Sequence, residues 1–278
     1  MASMGIVETI IIGIVQGLSE FLPVSSSGHI ELSKVILGVE IAEDNNMMLT
    51  IVLHAATALS TIVIFRKEII QIVKGLLQFK WNDQFKFALN IVLSMIPAVF
   101  IGLKFEEEID TFFTGNVLLV GFMLLVTGIL LFLADRAKSS TKGIGVKEAV
   151  IIGISQAIAI LPGISRSGAT IGTSVLLGVD RSKAARFSFL MVVPLILGKM
   201  AKDLLSGELF VTDPTTGDIL LSSSDTIALG AGFVAAFVTG IFACTWMINL
   251  VKKAQLKYFS YYCFAVGAIA IGYATIYT

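Results

Sequence analysis

Six long apolar segments constrain this chain more than any other feature. Each approaches the length of about 20 apolar residues that a helix needs to cross a bilayer. Charged residues make up only 14% of the chain and hydrophobic residues 56%, whereas soluble domains carry about 25% charged residues. The sequence therefore predicts an all-α polytopic membrane protein. The predicted spans cover residues 47–65, 87–103, 113–133, 187–204, 226–250 and 258–277.

Two further apolar regions are each broken in the middle by Gly, Pro and Ser. Each half is short for a membrane span. Irregular backbone at membrane depth is tolerated only where protein or a water-filled cavity surrounds it. We therefore expect two re-entrant helix–loop–helix hairpins whose loops mark a functional site. The helical halves are 5–19 and 26–38, divided at Pro23 and the serines that follow, and 146–160 and 166–179, divided at Pro162 and Gly163.

The two broken regions are copies of each other. Residues 5–40 align with residues 145–180 without gaps and with 14 identities in 36 positions. Apolar composition alone would not align polar residues in register, yet Gln16 matches Gln156. The chain therefore contains an internal repeat.

Three predicted spans follow each hairpin, and because three is odd the second repeat is expected to be inverted relative to the first. The repeats cover about residues 5–133 and 145–277 of a single membrane domain over residues 1–278. Inverted repeats of this kind place a substrate site near the midplane, between discontinuous helices.

The charges are distributed asymmetrically. Fifteen of the 20 basic residues fall in loops on one predicted face, which the positive-inside rule makes cytoplasmic. The first hairpin then enters from outside, so the site is expected to open to the extracytoplasmic side. The acidic residues expected on that outer face are Glu40, Glu43, Asp44, Glu106, Glu107, Glu108, Asp110, Glu208, Asp213, Asp218 and Asp225.

The two loop tips carry the side chains suited to chemistry. A helix N-terminus offers free N–H groups and a partial positive charge, which suit an anion. An arginine adds a planar fork that matches phosphate oxygens. These features predict a binding site for a phosphate group. The candidate residues are Gln16, Glu20, Ser25, Ser26, Ser27 and His29 at the first tip, and Ser165, Arg166, Ser167 and Thr170 at the second.

The serines and the histidine allow several interpretations. Ser25, Ser165 and Ser167 precede or open helices, where serine commonly caps free N–H groups. Ser26 and His29 are three residues apart on the opening turn of a helix, so they can face one pocket. The histidine could activate the serine or attack phosphorus itself.

Glu20 is an ionisable side chain at predicted membrane depth, where function is the default hypothesis. It could bind a divalent cation, act as a base, or pair with Arg166. Gln16 lies one turn earlier on the same helix face and can hydrogen-bond but not titrate. For His54, inside a predicted span, structural hydrogen bonding is favoured slightly over a role in the site.

These motifs resemble those of the undecaprenyl pyrophosphate phosphatases, the bacterial bacitracin-resistance family. That family has a Glu/Gln-x-x-x-Glu stretch leading into a Pro-x-Ser-Ser-x-Gly-His loop, and a later Pro-Gly-x-Ser-Arg-Ser-x-x-Thr loop. The corresponding residues here are Gln16 to Glu20, Pro23 to His29, and Pro162 to Thr170.

The resemblance implies hydrolysis of undecaprenyl pyrophosphate to the monophosphate in the bacterial plasma membrane, recycling the lipid carrier of cell-wall synthesis and conferring bacitracin resistance. It also implies a divalent cation, Mg²⁺ or Ca²⁺. Ser26 and His29 become the nucleophile candidates, with direct attack by water left open, and Glu20 the cation ligand or base. The residues expected to hold the substrate are Arg166, Gln16, Ser25, Ser27, Ser165, Ser167 and Thr170.

Gln16 stands where many relatives have Glu, which weakens the case for a two-carboxylate metal site. The main rival function is a transporter or flippase for a phosphorylated polyprenyl lipid, because inverted repeats are typical of transporters. Ser27-Gly28-His29 also resembles a motif of type-2 phosphatidic acid phosphatases, but the other motifs of that family do not occur in the sequence. The expected partners are the lipid substrate, membrane lipid and, as an option, a second copy of the chain; no nucleic acid is expected.

Overall fold

The computed structural model of the chain describes residues 5–38, 43–105, 108–109, 112, 116–138, 140–206, 223–253 and 255–277. Within these ranges the regular secondary structure is helical, apart from an isolated parallel bridge between Lys142 and Val179. The predicted all-α class is confirmed. The helices are α1 (Ile6–Phe21), α2 (Ser26–Leu37), α3 (Glu43–Ile64), α4 (Arg66–Leu76), α5 (Asp83–Lys104), α6 (Val117–Asp135), α7 (Val146–Ile158), α8 (Arg166–Leu176), α9 (Arg181–Ser206), α10 (Ser223–Lys252) and α11 (Leu256–Tyr277).

Six of these helices are long and apolar enough to cross a membrane, namely α3, α5, α6, α9, α10 and α11. They coincide with the six predicted spans, so a multi-pass membrane protein is confirmed. Five of them begin earlier than predicted, by the most in α3 at Glu43, α5 at Asp83 and α9 at Arg181. In α5 the side chain of Asn82 accepts a hydrogen bond from the Phe85 amide at 2.8 Å, and this cap lets the helix start in its polar flank.

Some expectations concern residues outside the described ranges. They include the start of the third predicted span, residues 113–115, and most of the acidic residues expected on the outer face. These acidic residues are Glu40, Glu106, Glu107, Asp110, Glu208, Asp213 and Asp218.

The four helices of the two broken regions are short. The helices α1, α2, α7 and α8 contain 16, 12, 13 and 11 residues, against about 20 for a spanning helix. We refer to residues 6–37 as hairpin 1, with loop 1 at residues 22–25. Residues 146–176 form hairpin 2, with loop 2 at residues 159–165.

Helix α4 was not predicted, since it lies in what the sequence suggested was a basic loop. Its Arg66 and Lys67 are exposed, whereas Ile69 and Ile72 pack against the main apolar core. Apolar residues at this spacing form one stripe on a helix. The stripe is too short to resemble a span, and it attaches the segment to the side of the helix bundle.

The hairpins are held by close crossings with helices from the other half of the chain. A Cβ atom added at Gly13 of α1 would lie 2.5 Å from the carbonyl oxygen of Gly232 in α10. A Cβ atom added at Gly153 of α7 would lie 2.6 Å from the carbonyl oxygen of Ser94 in α5. Gly13 and Gly153 are equivalent in the sequence repeat, so both hairpins pack through the same small-residue contact.

Helices α6 and α11 pack together and support both loops. The hydroxyl of Ser260 in α11 donates to the carbonyl of Gly128 in α6 at 2.7 Å. From α6, the hydroxyl of Thr127 donates to the carbonyl of Gly163 in loop 2 at 3.3 Å. From α11, the thiol of Cys263 lies 3.8 Å from the carbonyl of Pro23 in loop 1. This helix pair therefore positions the two loops relative to each other.

Candidate active site

Loop 1 joins α1 to α2 through a tight turn that ends at Ser25. The Ser25 hydroxyl accepts a hydrogen bond from the Gly28 amide at 3.3 Å, which caps α2. Its backbone has φ of 72°, a region that residues with a side chain rarely adopt and that is found at functional sites where the surroundings enforce it. The side chain is 2% exposed. The turn thus directs the first residues of α2 into the protein interior.

Loop 2 ends in an equivalent cap without the unusual backbone. The Ser165 hydroxyl accepts from the Gly168 amide at 3.0 Å, and φ of Ser165 is −72°. The Ser165 amide donates to the Thr127 hydroxyl at 3.1 Å. Capping is therefore observed for Ser25 and Ser165.

The two loops contact each other directly. Ser167, at the start of α8, donates its hydroxyl to the Leu22 carbonyl of loop 1 at 3.2 Å. A Cβ atom added at Gly28 would lie 3.2 Å from the Cα of Gly163, and one added at Gly168 would lie 3.3 Å from the Cβ of Pro23. The glycines let the starts of α2 and α8 approach closely, so groups from both hairpins share one site.

Glu20 lies at the centre of this site. Its carboxylate forms an ion pair with the guanidinium of Arg166 from hairpin 2. It also accepts hydrogen bonds from the Ser26 hydroxyl at 2.7 Å and from the Gln16 amide nitrogen at 3.1 Å. Glu20 is 6% exposed. Burial of a carboxylate is costly unless it is paired and hydrogen-bonded, and these three partners meet that requirement.

His29 is oriented by two other groups. Its Nδ1 lies 2.8 Å from the Ser25 carbonyl oxygen and its Nε2 lies 2.8 Å from the Tyr262 hydroxyl of α11. The rings of His29 and Tyr262 are nearly parallel, with centroids 5.6 Å apart. Ser26 bonds to Glu20 instead, so in this arrangement the Ser26 hydroxyl has a carboxylate rather than an imidazole as its proton acceptor.

His54 of α3 completes the group of ionisable side chains. Its Nε2 lies 3.9 Å from a carboxylate oxygen of Glu20, and its Nδ1 lies 2.8 Å from the Thr50 carbonyl. The structural hydrogen bond that we favoured for His54 is present. The same ring also faces the site, so the two interpretations are compatible.

The remaining predicted site residues form hydrogen bonds with groups other than the Glu20 carboxylate. The hydroxyls of Ser25 and Ser27 are 3.4 Å apart, beside the start of α2. The Thr170 hydroxyl is 2.6 Å from the hydroxyl of Ser188 in α9 and donates to the Arg166 carbonyl at 2.9 Å. Thr170 therefore supports the Arg166 backbone rather than facing Glu20.

The site offers oxygen ligands for a cation. The Gln16 Oε1 atom is buried and has no hydrogen-bond partner among the described residues, and the nitrogen of the same amide donates to the Glu20 carboxylate. Amide and carboxylate oxygens are the ligands that Mg²⁺ and Ca²⁺ prefer, and Mg²⁺ commonly completes its shell with water and substrate phosphate. No cluster of three or more His, Cys, Asp or Glu side chains suited to a metal occurs in the described residues. The residues thus fit a cation shared with a phosphorylated ligand better than a preformed protein cage.

Tyr262 and Thr127 were not predicted from the sequence to belong to the site. Both lie in apolar spans, where nothing in the local pattern separates them from core residues. Tyr262 contacts His29 across 233 positions of sequence, and Thr127 contacts loop 2 across 36 to 38 positions. Only the packing of α6 and α11 against the hairpins identifies them.

Known proteins resemble the chain over nearly its whole length. It is 59% identical over 271 residues to an undecaprenyl-diphosphatase of Christiangramia forsetii, covering 98% of this chain and 99% of the relative. It is 46% identical over 265 residues to an undecaprenyl-diphosphatase of Bacteroides fragilis, covering 95% and 96%. An undecaprenyl-diphosphatase of Methanobrevibacter smithii is 35% identical over 282 residues, covering 96% of each chain.

The family profile described as bacitracin resistance protein BacA matches residues 9–269. This range includes hairpin 1 from residue 9 onward, all of hairpin 2 and the Glu20–Arg166 contact between them. Relatives that are 35% identical or more match nearly the whole chain as well. Both findings assign the chain to the same family. The chain belongs to the BacA bacitracin resistance protein family.

Proposed function

We propose that this protein is an integral membrane phosphatase that hydrolyses undecaprenyl pyrophosphate to undecaprenyl phosphate and inorganic phosphate. Such an activity recycles the lipid carrier of cell-wall synthesis and confers bacitracin resistance. The observation that carries the proposal is the meeting of Arg166 from one hairpin with Glu20 and Ser26 from the other. This pairing provides an anion-binding cation, a carboxylate and a hydroxyl at one point in a family member whose relatives are named undecaprenyl-diphosphatase.

Binding of the pyrophosphate would use the starts of α2 and α8. Free N–H groups at a helix N-terminus and the guanidinium fork of Arg166 both favour phosphate oxygens. Ser27, Ser165 and Ser167 supply hydroxyls around these two helix starts. Arg166 would exchange part of its contact with Glu20 for the phosphate, so substrate binding releases the carboxylate for chemistry. The prenyl chain would remain in lipid against the apolar outer faces of the spans.

For the reaction, we favour Ser26 as the nucleophile and Glu20 as its proton acceptor. The Ser26 hydroxyl already donates to Glu20 at 2.7 Å, within the distance required of a general base. The serine oxygen would attack the terminal phosphorus while the bond to the bridging oxygen breaks, releasing undecaprenyl phosphate. Water would then hydrolyse the phosphoserine. His29 and direct attack by water are the alternatives that the experiment below separates.

Charge neutralisation is the main catalytic task in phosphoryl transfer. Arg166 is fixed in place for it by Glu20 and by the support of its backbone carbonyl from Thr170. A divalent cation, when bound, would neutralise charge on the phosphate oxygens. Glu20 and the Gln16 amide oxygen are the residues that would hold it.

We also propose that the two hairpins are re-entrant and belong to inverted repeats, with the pocket open to the extracytoplasmic side of the plasma membrane. The shortness of the four hairpin helices supports re-entry. The equivalent crossings at Gly13 and Gly153 support a common origin of the two halves. The concentration of basic residues in the loops of one face supports the orientation.

The proposal is tested by phosphate release from undecaprenyl pyrophosphate by the purified protein in detergent, where transport cannot occur. Wild type is compared with Arg166→Ala, Ser26→Ala and His29→Ala, with and without a chelator. Cation-dependent release that Arg166→Ala abolishes supports the phosphatase. Trapped phosphoserine in wild type that is lost in Ser26→Ala supports the serine nucleophile. If folded wild type binds the lipid but releases no phosphate, the enzyme proposal is wrong. Transport of the lipid then becomes the better explanation.

A further inference from the structure

Tyr262 makes a specific contact with His29 from the opposite end of the chain. Its hydroxyl lies 2.8 Å from the His29 Nε2 atom. The two rings are nearly parallel, with an interplanar angle of 15°. The tyrosine is 45% exposed, so burial alone does not explain why its hydroxyl meets the imidazole. The hydrogen bond between the two side chains restricts the orientation of the His29 ring.

The hydrogen bonds also determine which ring nitrogen carries the proton. The Ser25 carbonyl oxygen, 2.8 Å from Nδ1, can only accept, so Nδ1 must carry a hydrogen. In a neutral imidazole Nε2 is then an acceptor, and the Tyr262 hydroxyl is its donor. The orientation and tautomer of a histidine are commonly set by such a partner on the other nitrogen.

This arrangement has a consequence for Ser26. A histidine whose two nitrogens are both engaged cannot also accept the Ser26 proton, and Ser26 donates to Glu20 instead. Without the Tyr262 hydroxyl, Nε2 would be free to seek another donor, and the Ser25 carbonyl would be the hydrogen-bond partner that the ring keeps. The hydroxyl therefore keeps the imidazole in one position beside the start of α2.

We infer that Tyr262 is a positioning residue of the active site, whose hydroxyl fixes the tautomer and orientation of His29. The inference rests on the proposed phosphatase function for its kinetic consequences, but the contact itself can be tested without activity. It assigns a role to a residue of α11, a helix to which neither loop motif belongs.

The first test is kinetic. Tyr262→Phe keeps the aromatic ring and removes only the hydroxyl. It is expected to lower kcat about tenfold, the lower end of the effect of removing the hydrogen-bond partner of a metal-binding histidine, with KM little changed. The matched control is Tyr261→Phe, the same chemical change on the adjacent residue, which is 54% exposed, and it should behave like wild type. In a His29→Ala background, Tyr262→Phe should have no further effect, because coupled residues are non-additive.

The second test measures the contact directly. Diethyl pyrocarbonate acylates an unprotonated imidazole nitrogen that is free, and peptide mass spectrometry distinguishes His29 from His54. Acylation of His29 should be several-fold faster in Tyr262→Phe than in wild type and unchanged in Tyr261→Phe.

Equal acylation rates in Tyr262→Phe and wild type would overturn the inference. So would a kcat loss that persists in the His29→Ala background, since the tyrosine would then serve packing alone. An inactive wild type with the expected difference in acylation would refute the phosphatase proposal while leaving the contact established.

Discussion

Hairpin 1 and hairpin 2 share a scaffold but differ in chemistry. In each, a serine caps the second helix by accepting from the amide three residues later, Gly28 or Gly168. In each, the hydroxyl of the capping serine lies close to that of the serine two positions on, at 3.4 Å in hairpin 1 and 3.2 Å in hairpin 2. The repeated residues are thus those that shape a helix start.

The reactive residues are not repeated. In the alignment of the two hairpins, Glu20 corresponds to Ile160 and Ser26 corresponds to Arg166. His29 corresponds to an alanine. One hairpin therefore contributes the carboxylate, hydroxyl and imidazole, and the other contributes the cation. Neither hairpin contains the whole site, which exists only where the two loops meet.

The largest expected effect tests this division of roles. Arg166→Ala should lower kcat/KM by roughly 10³, because a positioned donor to the developing charge is lost and Glu20 loses its cation. Arg166→Lys keeps the charge but not the planar guanidinium group, so an intermediate loss of kcat/KM is expected. Phosphate release is the measurement. Arg66→Ala is the control, since that guanidinium donates to the Val63 carbonyl at an exposed position. Full activity in Arg166→Ala would show that hairpin 2 is only a support.

The next effect tests whether the two hairpins pack equivalently. Gly13→Ala and Gly153→Ala each place a methyl group within 2.6 Å of a carbonyl oxygen of the crossing helix. Each should lower the free energy of unfolding by about 1–3 kcal/mol, the usual cost of overpacking. Thermal unfolding in detergent is the measurement.

Gly102→Ala is the matched control for these variants, because no atom lies within 4 Å of the added Cβ. It should be neutral or slightly stabilising, since alanine favours helix over glycine. If only one of the two variants lowers the free energy of unfolding, the two hairpins do not pack equivalently.

An effect of similar size concerns the hydrogen bonds that anchor loop 2. Thr127→Val removes one donor to the Gly163 carbonyl and one acceptor of the Ser165 amide. Leaving buried polar groups unpaired costs about 1–3 kcal/mol, so the variant should unfold at lower temperature. Thr245→Val should not, because that exposed hydroxyl bonds only its own helix at the Ile241 carbonyl. Equal stability of the two variants would mean that loop 2 does not depend on α6.

The smallest effect distinguishes the two caps. Ser25→Ala and Ser165→Ala should each lower the unfolding free energy by about 1 kcal/mol through loss of a cap. Replacement by glycine should recover more stability at position 25 than at 165, because φ is 72° at Ser25 and −72° at Ser165 and glycine adopts positive φ readily. Thermal unfolding of the four variants is the measurement, and an equal recovery at both positions would contradict the difference in backbone strain.

Much of the architecture was predictable because its signals are local. Apolar length alone located the six spans, and the interruptions at Pro23 and Pro162 located both loops. Helix α4 was missed because its apolar stripe, with Ile69 and Ile72, is short and lies among basic residues. Pairing with Arg166 was one of the three roles predicted for Glu20, and the structure contains that contact.

Other features of the site were not predictable. Ser26 and His29 are close in sequence, so they were considered as a pair, but their hydrogen bonds go to Glu20 and Tyr262 respectively. The spacing of residues on a helix indicates which side chains share a face, not which partner from another helix will reach them. For His54, structural hydrogen bonding was favoured only slightly over a role in the site, and its Nε2 lies 3.9 Å from a carboxylate oxygen of Glu20.

The sequence by itself determined the helical class, the membrane setting, the internal repeat and the set of polar residues at the loop tips. Each follows from hydrophobic length, charge or residue type over a short stretch of chain. The tertiary structure decided the partners, bringing Arg166 to Glu20 across 146 positions and Tyr262 to His29 across 233. These contacts depend on how α6 and α11 pack against both loops, and such packing is a property of complementary surfaces rather than of any local pattern.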